Sequence, residues 1–419
     1  MGTDARDDAR PALALPSDQD ASGRSLGDDE LAALADVIAS GTLTSTKGKH
    51  VAALEHAVAE RLGVAAAIAT SSGTAAVHAA IVACDIEPGD EVITTPVTDF
   101  GALAPILAQG AIPVFADVDP TSLLVTPETV EAVWSERTRA VVVTHLFGAT
   151  CDLDGFARLC SDRAAMLIED AAQAWLSESR GKVAGSVGDI GCFSLQQGKH
   201  LTTGEGGMVV TDNADFARRM RLWVNKGWPY GEPNPDHEFL ALNSRLSELQ
   251  GAVGLVQFRK IDAMVDRRIA TAQRAVERLR DVAGIRTPVV DPADRHTYWK
   301  LALDVDPDVV PGGPIALAGE LRLEGIQSAP RYVQRPAFAL RVFAEQRTFG
   351  SSRWPFTLAR PEAIDYAPSR FVGTYAGLDR VLVLSWNERY DERDADNVAS
   401  AVASAVDRLR GTARSGDLP

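Results

Sequence analysis

Between residues 66 and 212, short apolar runs alternate with segments of helical spacing, and this alternation leaves few possible folds. The runs are AAIAT (66–70), EVITT (91–95), PVFADV (113–118), RAVVVTHL (139–146), AMLIED (165–170), IGCFSL (190–195) and GMVVTD (207–212). Each is too short for a typical helix and apolar enough to be a strand buried on both faces. Most are separated by stretches with apolar residues every three or four positions, such as SGTAAVHAAIVACD, with Gly73 and Thr74 at its start, and DFGALAPILAQG. The pattern predicts an α/β fold with a mostly parallel sheet covered by helices on both faces and right-handed connections.

Two helices are expected before that region, over 28–40 and 48–63, and one long helical stretch after it, over 245–281. The texture then changes. RHTYWKLALDVD and RVLVLSWNERY read as strands, and ALAGELRLEGI and ADNVASAVASAVDRL as helices. These describe a smaller C-terminal α+β domain. A chain of 419 residues that is 46% hydrophobic favours two domains over one. The expected division is a mobile arm over 1–25, a large domain over 26–255, a small domain over 256–410 and a tail over 411–419.

Charge and cysteine content remove several functions. The formal charge of −15 argues against binding nucleic acid or anionic membranes through the overall field. The four cysteines (Cys84, Cys151, Cys160, Cys192) show no CxxC spacing, so reduced packing thiols in a cytoplasmic protein are expected. No metal-ligand pattern is present. The first residues do not have the form of a signal peptide, and no apolar run is long enough to span a bilayer.

Ligands of open α/β sheets bind beyond the carboxyl ends of the strands, so polar residues there are the candidates. SSGT (71–74) follows a strand and opens a helix, which is an anion cradle as well as an ordinary N-cap. Phe100 follows EVITT and could stack on a flat ligand. Asp170 ends AMLIED and can hold a cation. Gln173 would share its helical face. Lys199 follows IGCFSL in a polar loop closed by GEGG, whose glycines permit positive φ and close approach. Taken singly, each has a plain structural reading: Lys199 a solvated charge, Asp170 an N-cap, Phe100 a core ring, His145 and His200 satisfied histidines. Together they match one cofactor. Pyridoxal 5′-phosphate has a phosphate, a flat cationic ring, a ring hydroxyl and an aldehyde, and would use all of them.

The sequence also resembles a known family: the fold-type-I, pyridoxal-phosphate-dependent aminotransferases of amino-sugar and aminocyclitol synthesis (the DegT/DnrJ/StrS group). The stretches that carry the likeness are SSGTAAVHAAI, PVFADVDP, EDAAQA, GSVGDIGCFS, GKHLTTGEGGMVVTD and NSRLSELQGAVGL, and it runs from about residue 40 to residue 392. The resemblance implies that Lys199 is the Schiff-base lysine and that Asp170 pairs with the ring nitrogen. It implies that Gln173 contacts the ring hydroxyl and Phe100 stacks on the ring, while Gly73, Thr74 and Ser194 hold the phosphate. Asn243 would reach the phosphate of a neighbouring subunit in a homodimer, with Arg245 close to the same point. The implied reaction moves an amino group from L-glutamate or L-glutamine to a keto sugar or ketocyclitol.

Three departures bear on the acceptor. Thr42 stands where the family has a bulky residue, Asp99 precedes Phe100 where a Thr is common, and Trp175 with Leu176 follows EDAAQA where small residues are common. The wording QQGK resembles the aminocyclitol branch. Two other readings compete. A sugar dehydratase of the same fold would carry His at the lysine position, but here Lys199 occupies it and His200 comes one residue later. A non-catalytic cofactor-binding protein would not need the lysine as a nucleophile.

Overall fold

A computed structural model describes residues 13–416, and among them a seven-stranded sheet forms the centre of the larger domain. Its strands are β1 (Ala66–Thr70), β2 (Glu91–Thr94), β3 (Ile112–Phe115), β4 (Thr138–Thr144), β5 (Met166–Asp170), β8 (Ile190–Ser194) and β9 (Gly207–Thr211). A small hairpin, β6 (Glu178–Ser179) with β7 (Lys182–Val183), lies between β5 and β8 and was not expected from the sequence. The sheet order is β1-β9-β8-β5-β4-β2-β3. Only β9 runs against the rest, so the sheet is mixed but mostly parallel. The carboxyl ends of β1, β2, β4, β5 and β8 therefore open onto one edge.

The helices of this domain are α1 (Asp28–Ser40), α2 (His50–Leu62), α3 (Gly73–Ala83), α4 (Ala104–Ala108), α5 (Pro127–Glu131), α6 (Leu153–Arg163) and α7 (Ala214–Val224). Helix α3 starts where the Ser72 hydroxyl accepts the Ala75 N–H, a side-chain N-cap. Its alanines at 75, 76, 79, 80 and 83 are all buried, and small side chains let it lie close against the middle of the sheet. Ile68, Val92, Val142 and Ile168 face it. Ile93, Val141, Val143 and Leu167 point to the opposite face, toward Phe156. This is the period-two alternation of a sheet covered on both sides.

Helix α8 (Glu248–Leu279) is capped by Ser247 and joins the two cores. Residues as far as Val265 pack with the α2 side of the first domain, and from Ala272 onward they pack into the second. The handover thus falls between Val265 and Ala272. The second domain holds an antiparallel sheet of order β10-β11-β13-β12, made of β10 (Ile285–Arg286), β11 (Lys300–Val305), β12 (Ser328–Pro330) and β13 (Val381–Ser385). Around it lie α9 (Gly313–Leu323), α10 (Arg341–Ala344), α11 (Val372–Arg380) and α12 (Glu392–Gly416).

Both expected chain ends need correction. Residues 13–25 are not a mobile arm: Leu13 and Leu15 pack on the smaller core, and Asp18 and Arg24 are buried. The segment has almost no regular structure, so no periodicity marks it. Residues 1–12 lie outside the described residues. At the other end α12 continues to Gly416, so 411–416 is helix, and 417–419 lies outside the described residues.

Candidate active site

The strand ends converge on a cavity of roughly 410 Å³, a size that suits a small-molecule site. Ser72, Gly73 and Thr74 come to it from the β1–α3 turn, and Thr98 and Asp99 from the end of β2. Asp170 comes from the end of β5 and Gln173 from the turns after it, and Ser194, Gln196 and Lys199 from β8 and the loop after it. Six of the eight residues expected at the site are therefore brought together.

Asp170 is 7% exposed. One carboxylate oxygen accepts the Ala172 N–H (3.1 Å) and the other the Thr144 hydroxyl (3.4 Å). Burial raises its pKa above the ordinary carboxylate value, and the Lys199 charge opposes that shift. Lys199 is the complement: burial lowers its ammonium pKa, Asp170 and Asp99 oppose the shift, and Lys300 adds to it. Among the described residues neither group has an ion-pair partner. Instead the Lys199 Nζ lies over the Trp299 ring, 4.4 Å from its centroid.

Gln173 reaches the cavity by a different route from the one expected. No helix follows Asp170; residues 171–176 form turns. The side chain is fixed at both ends, with Oε1 accepting the Phe147 N–H (3.0 Å) and Nε2 donating to the Tyr332 hydroxyl (2.9 Å). Gly73 lies against Ser194: a Cβ there would sit 2.9 Å from the Ser194 Cβ, so the cradle needs glycine. Gly207 starts β9 for the same reason, since a Cβ would meet the Ser72 carbonyl oxygen at 2.3 Å.

Phe100 does not line the cavity. It is 41% exposed and its ring edge rests on Phe343, 6.2 Å between centroids. The residue that turns inward is Asp99, whose carboxylate also caps the next turn through the Gly101 N–H (2.7 Å). Asn243 is exposed, bridged to Asn225 through the backbone, and stands outside the cavity of its own chain. Arg245 donates to Asn225 Oδ1 (3.3 Å). Trp175 backs the site instead of lining it: it is fully buried, stacks on Phe193 and donates to the Ser194 carbonyl (3.0 Å). Thr42 has no place in the cavity wall either.

Among the cavity residues that were missed are Trp299 and Tyr332. Both come from the second domain, far along the chain, and no local pattern sets them apart from core aromatics. The two histidines are structural. His200 is buried, bonds the Thr297 carbonyl (3.2 Å), and burial holds its pKa well below the usual value. Lys199, and not His200, faces the cavity.

A buried carboxylate and a partly buried lysine of shifted pKa, facing one cavity beside a helix N-terminus, define a site for acid–base work on a bound anion. Residues 24–402 match the model of the DegT/DnrJ/EryC1/StrS aminotransferase family, and the chain belongs to that family. It is 34% identical over 362 residues to the L-glutamine:2-deoxy-scyllo-inosose aminotransferase of Streptoalloteichus tenebrarius, covering 82% of this chain and 83% of the relative. It is 36% identical over 263 residues to the GDP-perosamine synthase of Caulobacter vibrioides, covering 62% and 70%. The crystal structure of the aminotransferase TlmJ from Streptoalloteichus hindustanus superposes with a TM-score of 0.79 at 29% identity, over 92% of this chain and 98% of that one. The protein is a pyridoxal-phosphate-dependent aminotransferase of the amino-sugar and aminocyclitol class.

The cavity fits that cofactor. Asp170 is a buried acid lacking a cation, Lys199 a partly buried amine lacking an anion, and Gly73, Thr74 and Ser194 form a small polar cradle at the start of α3. Among the described residues no cluster of potential metal ligands occurs and no helix is long and apolar enough to cross a membrane.

Proposed function

We propose that the enzyme transfers the amino group of L-glutamine to a ketocyclitol, with Lys199 as covalent anchor and proton carrier. The observation that carries the residue roles is the meeting of Lys199, Asp170, Gln173, Ser194 and the Gly73–Thr74 turn on one cavity. The acceptor class is supported by coverage. Two relatives named for 2-deoxy-scyllo-inosose match over 82% and 81% of this chain and a third, at 40% identity, over 49%, whereas the GDP-perosamine synthase of Caulobacter vibrioides matches over 62%.

Pyridoxal phosphate, when bound, supplies an aldehyde to take up the amino group and a ring that withdraws electrons from the bond to the departing proton. The protein does the rest. Asp170, as a carboxylate, keeps a proton on the ring nitrogen, and its buried setting strengthens that attraction. Gln173, pinned by Phe147 and Tyr332, orients the ring hydroxyl. Gly73, Thr74 and Ser194 hold the phosphate at the positive end of α3. Lys199 would hold the cofactor's aldehyde carbon and carry the departing proton at its Nζ, and burial, which lowers its ammonium pKa, favours the neutral amine this needs. Trp299 covers the lysine. Asp99 and Glu205 give the cavity wall two further carboxylates for hydroxyl groups of the acceptor.

Asn243, with Arg245 beside it, serves a neighbouring copy's phosphate in a homodimer. This is supported by its exposure and by the uncovered Leu43, Tyr230, Leu240 and Leu242. The enzyme works in the cytoplasm. Mixing the cofactor-loaded enzyme with L-glutamine should bleach its visible band, and adding 2-deoxy-scyllo-inosose should restore it with an aminated product detected by mass. If L-glutamine, L-glutamate and L-alanine all leave the band unchanged, the reading is lost. If a GDP-linked keto sugar restores it and the cyclitol does not, the acceptor class is wrong.

A further inference from the structure

Residues 13–24 carry two of the most buried charges near the site, Arg24 (3% exposed) and Asp18 (8% exposed). The Arg24 guanidinium donates from Nη1 to the main-chain carbonyl of Lys199 (2.8 Å) and from Nε to the Asp18 carbonyl (3.1 Å). The same Nη1 lies 3.5 Å from Glu388 Oε1 in the second domain. Around this contact the segment is tied on both sides. Gln197 donates to the Asp18 carbonyl (2.8 Å), the Asp18 carboxylate pairs with Lys300 (3.0 Å), and Asn387 donates to the Pro16 carbonyl (2.7 Å).

The loop bearing Lys199 is thus held from outside at two carbonyls. Trp299 Nε1 donates to that of Gly198 (2.6 Å), and Arg24 to that of Lys199 itself. Packing alone does not account for a guanidinium at this point. Glu388 already accepts a full charge-assisted bond from the buried Arg268 (2.7 Å), so two guanidiniums share one carboxylate, and Arg24 Nη2 has no hydrogen-bond partner. Burying a second cation there is unfavourable for stability. An apolar side chain could fill the space at lower cost, but it could not hold the lysine carbonyl.

We propose that Arg24 is a positioning residue for Lys199. Its guanidinium ties the Lys199 main chain to Glu388, and so fixes the origin and direction of the reactive side chain relative to both domains. The proposal rests on Lys199 being the reactive lysine. A planar fork reaches two carbonyls and a carboxylate at once, which a lysine ammonium cannot do in the same geometry.

The test uses the full chain loaded with pyridoxal phosphate, as Arg24→Met and Arg24→Lys beside Lys199→Ala. Misplacing a reacting group by about 1 Å lowers rate by on the order of 100-fold. Arg24→Met should therefore lower kcat per folded, loaded molecule by roughly 10- to 100-fold, with KM for L-glutamine changed less than about threefold. Arg24→Lys, which keeps the charge beside Glu388, should recover only part of the loss. In both variants, borohydride should fix cofactor to Lys199 more slowly than in the unmodified enzyme. If kcat and the borohydride rate in both variants stay within about twofold of the unmodified enzyme while only thermal stability falls, Arg24 is structural and the proposal is wrong. If Arg24→Met does not fold, the Arg24→Lys result decides. The Lys199→Ala variant separates the two levels: full activity there would overturn the reading of Lys199 itself, whatever Arg24 does.

Discussion

Strand β5 ends in two adjacent carboxylates, Glu169 and Asp170, which face opposite sides of the sheet and have different surroundings. Glu169 is fully buried and fully occupied. It accepts the N–H groups of Gly185 (2.7 Å), Val187 (2.8 Å) and Gly188 (2.6 Å) and bonds His145 Nε2 (2.9 Å). Because His145 Nδ1 accepts the Cys151 N–H (3.1 Å), the ring hydrogen lies on Nε2 and is donated to Glu169. Asp170 has one backbone N–H and one long hydroxyl contact, and otherwise opens on the cavity. Burial disfavours the charge of both. His145 and the Gly188 and Gly185 N–H groups hold the Glu169 pKa below the ordinary value against burial, whereas Asp170 is left raised. In the proposed reading the closed pair serves the fold and the open group serves the chemistry.

The sharpest way to break the comparison is to remove the open site's amine. Lys199→Ala should abolish transamination, by on the order of 10⁴-fold or more, and leave thermal stability nearly unchanged. Next comes the paired carboxamide exchange. Asp170→Asn should lower kcat by about 100- to 1000-fold, since it cannot hold the ring nitrogen charged. The same change should stabilise the cofactor-free protein at neutral pH. The sign follows from the raised pKa: the folded state binds the Asp170 proton more tightly than the unfolded chain, so stability falls as pH rises through the folded pKa, and an amide escapes that loss. A gain of about 1 kcal/mol by thermal melts is expected.

Glu169→Gln should do the reverse. It breaks a buried, fully bonded carboxylate and should destabilise by about 3 kcal/mol, while kcat per folded, loaded molecule stays within a few-fold. Equal losses of activity from Glu169→Gln and Asp170→Asn would dissolve the distinction. Tyr332→Phe removes one of the two ties on Gln173 and should lower kcat about three- to tenfold. Phe100→Ala should be the mildest, less than about twofold in kcat, because its ring lies against Phe343 and not in the cavity. A loss above tenfold there would return Phe100 to the ring-stacking role its sequence position suggested.

The same contrast explains what could be read in advance. The seven strands of the main sheet were legible because each is a run of apolar residues bounded by polar turns, and residues at their carboxyl ends must face one edge. Lys199, Asp170 and the Gly73–Thr74 turn were found by that rule alone, and Ser194 through the family resemblance. Gln173 was found by a wrong local argument, since turns and not a helix carry it. Phe100 failed because a one-residue difference at a strand end decides which side chain turns inward, and Asp99 took that place by capping the next turn. Trp299 and Tyr332, which line the cavity, and Arg24, which holds the Lys199 carbonyl from outside it, were invisible because they come from segments whose own periodicity has no relation to the site. The 13–25 segment misled most. Its composition suggests disorder, but its order comes from partners more than 170 positions away, such as Lys199 and Lys300.

The central claim is that one particular lysine carries the chemistry, and a second lysine close by makes that testable without any substrate. Lys300 Nζ lies 5.3 Å from the same Trp299 ring, on the side held by Asp18. Borohydride reduction of the loaded enzyme, followed by digestion and mass analysis, locates the amine that holds the cofactor. The account predicts a pyridoxyl label on the peptide containing Lys199 and none on that containing Lys300. A label on Lys300, or none on either, would contradict it.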